Sequence, residues 1–320
     1  MEIISLFEYS SYEELYKMWN SEYGNIFPIT KSLFDRNTRN AYDKASFVAL
    51  VDNIAVGFII GKVWSDEYEI KGYEDCGWIN LIYVLPRYRK LGIGTALLNK
   101  AENEFEILNK KVIHLGRDYL NYFPGLPCDL KNSLNWFIKR GYQNPYNTYD
   151  LICNKNLDLL PLDNNDLTFR PASIIDRDNL INFMNNNWPG RWTKEVVDYF
   201  NNGGTGSEYL LCLDNNKICA FAKVGYPNTA SNLISYSMTW RSRFERLGGI
   251  GPLGVDKEYR GRHLGRDIVI FGKNVLIKNN VTDIIIDWTG LLDFYRPYGF
   301  EVWKSYHYLT KFKKENKHEF

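Results

Sequence analysis

Long apolar runs, paired cysteines, clustered histidines and a dominant sign of charge are all missing from this 320-residue chain, and each absence removes a class of function. No stretch approaches the roughly 18 uncharged apolar residues that a membrane-spanning helix needs, so no membrane is expected as a partner. Lys and Arg number 39 against 38 Asp and Glu, a net charge of +1. With no basic stripe, nucleic acid is not expected either, and any anion must be held by local geometry. Cys76, Cys128, Cys153, Cys212 and Cys219 are odd in number and form no C-x-x-C pair, which reads as reduced thiols of a cytoplasmic protein. His114, His263, His307 and His318 stand singly, so no metal is expected. The opening "MEIISLFEYSSYEE" carries Glu2 and no basic region and is not read as a signal peptide. What remains is a globular composition, 45% hydrophobic and 24% charged, long enough for two ordinary domains.

The two domains are visible as a repeat. A shift of 171 residues lays Val84 on Val255, Tyr88 on Tyr259, Arg89 on Arg260 and Gly94 on Gly265. A second match follows at a shift of 158, where "WFIKRGY" at Trp136–Tyr142 resembles "FYRPYGF" at Phe294–Phe300. In each half a short strand and helices lead to three strands, a glycine-led helix, a further strand, a short helix and a last strand. That alternation predicts an α/β fold built twice on a mixed sheet. The first domain is expected over 1–154, a polar linker over 155–166, the second domain over 167–313 and a charged tail over 314–320.

Between the third strand and the long helix stand "YRKLGIGT" and "YRGRHLGR". Such a loop points backbone N–H groups outward at a helix N-terminus, where the helix dipole also favours an anion. Glycine lets a phosphate approach the backbone closely. The candidate anion-binding residues are Val84, Arg89, Lys90, Leu91, Gly92, Ile93, Gly94 and Thr95 in the first half. In the second they are Val255, Arg260, Gly261, Arg262, His263, Leu264, Gly265 and Arg266. No G-K-[ST] follows, so this is not a Walker loop. "GIGPLG" at Gly249–Gly254 mimics a dinucleotide fingerprint but lies inside a strand. His263 replaces a glycine and is expected to be tolerated if its backbone stays in the helical region.

The order of strand, V-x-[PD]-x-Y-R-x-x-G-x-G, helix, strand and F-Y-x-x-x-G-F resembles the GNAT acetyltransferase superfamily, twice over and across nearly the whole chain. The resemblance implies two tandem GNAT domains, each a mixed, mostly antiparallel central sheet with flanking helices. It also implies acetyl-CoA as co-substrate, with its pyrophosphate on the loop. In the family a tyrosine four residues before the final glycine commonly protonates the leaving thiolate. Tyr295 stands there in the second half and Phe137, which has no proton to give, in the first, so chemistry is assigned to the second half. The alternative is that Tyr295 is a packed aromatic like Phe137. Asp287, at the end of "TDIIID", is the candidate base for the attacking amine, or else a cap for the following turn. A backbone N–H near Val255 would stabilise the oxyanion.

Trp188, Trp192 and Trp288 are candidate acceptor contacts, offering faces for a sugar ring or simply packing in a core. "GGIGPLGVDKEYRGRHLG" and "IDWTGLLDFYRPYGF" look like the tandem-GNAT glucosamine and glucosaminide N-acetyltransferases of low-GC Gram-positive bacteria. That likeness implies a small-molecule amine acceptor, an amino sugar salvaged from the cell wall. An aminoglycoside or mycothiol-precursor-type acceptor and a non-catalytic CoA-binding sensor or scaffold are the competing readings.

Overall fold

A computed structural model of the chain describes residues 1–230, 233 and 240–313; the expected charged tail at 314–320 lies outside them. The chain runs β1 (Glu2–Ser5), α1 (Tyr12–Tyr23), α2 (Lys31–Thr38), β2 (Phe47–Val51), β3 (Ile54–Val63), β4 (Cys76–Val84), α3 (Ile93–Ile107), β5 (Val112–Leu115), β6 (Leu126–Pro127) and α4 (Ser133–Ile138). It continues with β7 (Asn147–Cys153), β8 (Thr168–Pro171), α5 (Arg177–Asn187), α6 (Arg191–Asn201), β9 (Tyr209–Asp214), β10 (Lys217–Gly225), β11 (Leu247–Val255), α7 (Leu264–Lys278), β12 (Asp283–Thr289), α8 (Leu292–Tyr295), β13 (Glu301–His307) and β14 (Thr310–Phe312).

Two compact units result. The first is Met1–Thr148 together with the chain from Ser305 onward, and the second is Tyr149–Lys304. In the first unit the strand order is β1-β2-β3-β4-β5-β14. Among the described residues its neighbouring strands pair antiparallel, except β4 with β5, which are parallel. The second unit repeats that order as β8-β9-β10-β11-β12-β7, parallel only between β11 and β12. This differs from the expected boundaries at 154 and 313. The strand at 147–153 pairs with β12 of the second unit, and β14 pairs with β5 of the first. Both strands carry alternating apolar residues, and pairing is decided by which sheet offers an open edge rather than by adjacency in sequence.

Each unit buries one face of a long helix against its sheet. On α3 the stripe is Ile93, Leu97, Leu98, Ala101 and Phe105, packed with Val56, Ile59 and Ile79. On α7 it is Leu264, Ile268, Val269 and Leu276, packed with Cys212, Ala222, Ile250 and Ile284. The spacing in both is that of one helix face. β10 is buried along all but its first residue, as a strand covered on both sides should be. The segment expected as a linker is strapped to α7. Asp267, fully buried, accepts from the backbone N–H groups of Asp163 and Asn164 at 3.1 and 2.9 Å, and Asn274 exchanges two hydrogen bonds with Leu160.

Candidate active site

In the second unit β11 ends at Val255, and a short turn at Lys257–Tyr259 leads through Arg260–His263 into α7. No side chain caps the N-terminus of α7, nor that of α3. The first-turn N–H groups, which no carbonyl in the helix can satisfy, are thus not claimed by a side-chain cap. A cleft of about 330 Å³ opens over them, lined by Val255, Tyr259, Arg260, Gly261, His263, Leu264, Gly265, Arg266, Phe294 and Tyr298. Of the eight loop residues proposed from the sequence of this half, all but Arg262 line that cleft. Arg260 and His263 are exposed in it, whereas Leu264 faces the core. Arg262 pairs with Asp166 at 2.9 Å, and Arg266 with Asp163 and Asp267 at 3.0 and 2.6 Å. An uncapped helix end, flanking cations and a groove of this size fit a pyrophosphate-bearing ligand.

His263 is not in the right-handed helical region that was expected. Its φ is 60°, and Gly261 has φ 86°. The first unit uses the same two left-handed positions with the glycine exchanged, Lys90 at φ 63° and Gly92 at φ 84°. One non-glycine residue therefore sits in the left-handed region in each loop, at a cost of roughly 1 kcal/mol.

Beyond the loop the sheet comes apart. β11 and β12 pair in parallel only as far as Ile250 with Ile286. Opposite β10, β11 carries one extra residue between Ile250 and Leu253, a bulge that bends it away. Asp287 is the first residue past the last parallel pair. It lies against the bulge: a Cβ on Gly251 would come within 2.7 Å of Asp287 Oδ1. β12 has a bulge of its own, since Ile286 faces Leu151 of β7 but Thr289 faces Tyr149. Trp288, in that bulge, has φ 45°. Its N–H donates to Asp150 Oδ1 at 3.1 Å, and Trp240 Nε1 donates to Asp150 Oδ2 at 3.1 Å. Asp150 is wholly buried.

These surroundings set the chemistry of Asp287. Burial first, then the Asp150 charge, push its carboxyl up to about 8; Glu195 adds to the rise and Arg191 opposes it. A carboxyl with that affinity can take a proton near neutral pH. Tyr295, 5% exposed, has its phenol held above the usual range by burial and by the charge of Asp287. It is therefore a proton donor at any physiological pH. The structure brings Tyr295 and Asp287 within electrostatic reach of one another, with Phe294, the neighbour of Tyr295, lining the cleft.

The signature of the acetyltransferase (GNAT) family matches residues 12–121 and 177–300. The chain belongs to this family. Both units are GNAT domains, and the family's enzymes use acetyl-CoA. A stretch of 78 residues is 36% identical to an N-alpha-acetyltransferase of Sulfurisphaera tokodaii, covering 23% of this chain and 47% of that protein. The chain thus spans about half the length of that curated relative. Among solved structures, the GCN5-related glucosamine N-acetyltransferase region of a fungal multi-domain GH3 beta-N-acetylglucosaminidase superposes with a TM-score of 0.85 at 23% identity, over 97% of this chain and 38% of that one. A GCN5-related N-acetyltransferase of Sphaerobacter thermophilus gives 0.68 at 14% identity, over 97% and 95%. A tandem GNAT protein of the clavulanic acid pathway gives 0.65 at 12%, over 99% of both. At these identities the likeness is one of fold.

The two GNAT domains differ where chemistry would occur. Gly116 is the first residue past the last parallel pair of β4 and β5, Ile79 with Leu115, and so stands where Asp287 stands. Phe137, 3% exposed, takes the place of Tyr295. The first loop also spends its polar groups internally. Arg89 is held by both oxygens of Glu22 and by Val84 O at 2.9 Å, and Thr95 Oγ1 accepts from Arg140 at 2.6 Å. Leu91 is exposed and Ile93 is buried in the helix stripe.

The three tryptophans lie on the α5–α6 side of the second unit. Trp188 packs on Trp192 and on Phe221, both at 5.4 Å between centroids, and it covers the Gly254 backbone. Trp288 carries the Arg191 guanidinium 4.8 Å from its ring centre. Trp240 is 2% exposed and belongs to the core. Asp150, Arg191 and Glu195 were not singled out from sequence. A lone acid in the apolar strand "TYDLIC" was the one available signal.

Proposed function

We propose that the chain is an acetyl-CoA-dependent N-acetyltransferase that transfers directly to a primary amine within a ternary complex, with its chemistry in the second unit. The observation that carries this reading is Asp287, a carboxyl raised to about 8 at the splay of β11 and β12, with the protonated Tyr295 beside it and the loop cleft next to Phe294. The amine arrives largely protonated. Asp287 takes a proton from it, the freed lone pair attacks the acetyl carbonyl, and Tyr295 gives its proton to the sulfur that leaves. The N–H groups at the start of α7 would hold the pyrophosphate, assisted by Arg260, Arg262 and Arg266.

The acceptor we infer is an amino sugar, glucosamine or a glucosaminide, recovered from the cell wall. Two features support it. The acids Asp287, Asp150 and Glu195 gather near the expected acceptor position and suit a cationic amine. The fungal region with the TM-score of 0.85 is described as a glucosamine N-acetyltransferase. Release of free thiol from acetyl-CoA is to be followed against amino sugars, aminoglycosides, a mycothiol precursor, amino acids and peptides. Turnover of glucosamine or its oligomers, and none of their N-acetyl forms, is expected. Preference for an aminoglycoside or thiol precursor would overturn the sugar assignment. Failure to bind acetyl-CoA at millimolar concentration would overturn the enzyme reading.

A further inference from the structure

Asp150 is a buried acid whose two oxygens are each given a defined donor. It faces the bulge in β12, between the pairs Ile286 with Leu151 and Thr289 with Tyr149. Because Trp288 sits in that bulge with φ 45°, its N–H leaves the ladder and needs another acceptor. Asp150 Oδ1 accepts it at 3.1 Å. The second oxygen is held by the Trp240 indole at 3.1 Å. The acid thus fixes the backbone of the residue next to Asp287. An asparagine offers only one oxygen and would set an amide against one of two donors, so the second oxygen has a geometric purpose. A hydrophobic residue of similar volume would remove the acceptor that the Trp288 N–H and the Trp240 indole share.

We propose that Asp150 is a positioning residue for acetyl transfer, holding the bulge that sets the Asp287 carboxyl in place and giving that carboxyl an anionic neighbour. This inference rests on the reading of Asp287 as the base. Among the described residues, the charged and titratable groups that bear on Asp287 are Asp150 on β7, Glu195 and Arg191 on α6, and Tyr295 on α8. Of the carboxylates, Asp150 acts most strongly. It opposes ionisation of Asp287, so its charge moves the working range of the base upward in pH.

The test combines rate profiles with a readout that needs no turnover. kcat/KM is measured from pH 5 to 9 with acetyl-CoA and the best amine of the panel, for the wild type, Asp150→Asn, Asp150→Ser and Asp287→Asn. In parallel, the pH at which Asp287 titrates is read from the difference in Tm between paired chains with and without Asp287→Asn, in the wild-type and Asp150 backgrounds. Removing a like charge at this range shifts a carboxyl by about one unit or more. The rising limb should therefore move down by about one unit in Asp150→Asn, which leaves about ten times more of the enzyme active at pH 6 relative to its own plateau. The Tm titration should move with it. If the asparagine variant does not fold, Asp150→Ser, smaller and still an acceptor, reads the same shift. A limb that persists unchanged in Asp287→Asn overturns the assignment of the base. A limb lost in Asp287→Asn but unmoved in the Asp150 variants, with an unmoved Tm titration, overturns the role of Asp150 alone.

Discussion

Asp287→Asn should make the protein more stable, and increasingly so as the pH rises. The carboxyl titrates near 8 in the folded chain against an ordinary 3.8, so folding favours its protonated form. The stability this provides is complete below about pH 4 and is lost as the pH climbs toward 8, because the ionised carboxylate must then be tolerated beside Asp150. The displacement is roughly 4 units, and at about 1.4 kcal/mol per unit the ceiling is roughly 6 kcal/mol. The residue is partly exposed, and relaxation around the ionised form brings the expected gain to about 3 kcal/mol. Asparagine keeps the shape and carries no charge at any pH. For a unit of this size, 1 kcal/mol corresponds to about 2–4 °C in Tm, so the variant should melt roughly 6–12 °C higher at pH 9 and level with the wild type at pH 4. Paired calorimetric scans at half-unit intervals of pH measure this directly. Two melting curves that stay parallel from pH 4 to 9 would refute the reasoning, since Asp287 would then titrate normally. The same substitution should lower kcat/KM most below the pKa of the amine, with partial recovery at high pH.

Tyr295→Phe should lower kcat by about 10²–10⁴-fold with little change in acetyl-CoA affinity, because Phe137 fills the equivalent position in the first unit; wild-type kcat in a chemistry-limited assay would make Tyr295 a packing residue. Gly94→Glu should leave turnover largely intact and Gly265→Glu should abolish it, each introducing a carboxylate at one phosphate loop. A Cβ at Gly94 would meet nothing closer than 3.6 Å, so the first variant should fold, and its complete inactivity would move catalysis to the first unit. His263→Gly should relieve a left-handed side chain and hold or raise Tm, with binding of acetyl-CoA, read by isothermal titration, reporting whether the imidazole contributes to the site.

Much of this molecule is legible in its sequence because the constraints are local. The arginine, the glycines and the start of α3 or α7 lie within a few residues of one another, so their spacing carries the loop. The Asp287–Tyr295 pair is nearly as compact. Asp150 was not legible for the opposite reason: it meets the Trp240 indole across 90 residues and the Trp288 N–H across 138. On its own strand it looks like an outward-facing acid. The strands at 147–153 and 310–312 could not be assigned to sheets for a related reason. A strand's alternation says which face is buried but not which edge it joins. The left-handed backbone of His263 was equally hidden: each loop has two left-handed positions, filled by Lys90 and Gly92 in one and by Gly261 and His263 in the other, so residue type alone does not select φ.

The differences between the two domains are physically connected. The first unit has Gly116 and Phe137 at the positions of Asp287 and Tyr295, so it lacks both groups proposed for proton transfer. Its loop arginine is correspondingly drawn off to Glu22 and the Val84 carbonyl. In the second unit Arg260 stays exposed at the cleft, whereas Asp287 is held at a bulge whose neighbouring residue occupies a disfavoured φ. That strain and the buried charge are both destabilising, and they coincide with the groups assigned to proton transfer. Strain and desolvation kept at a site, when a stable alternative such as glycine stands in the sister domain, are what a functional demand on Asp287 would leave behind.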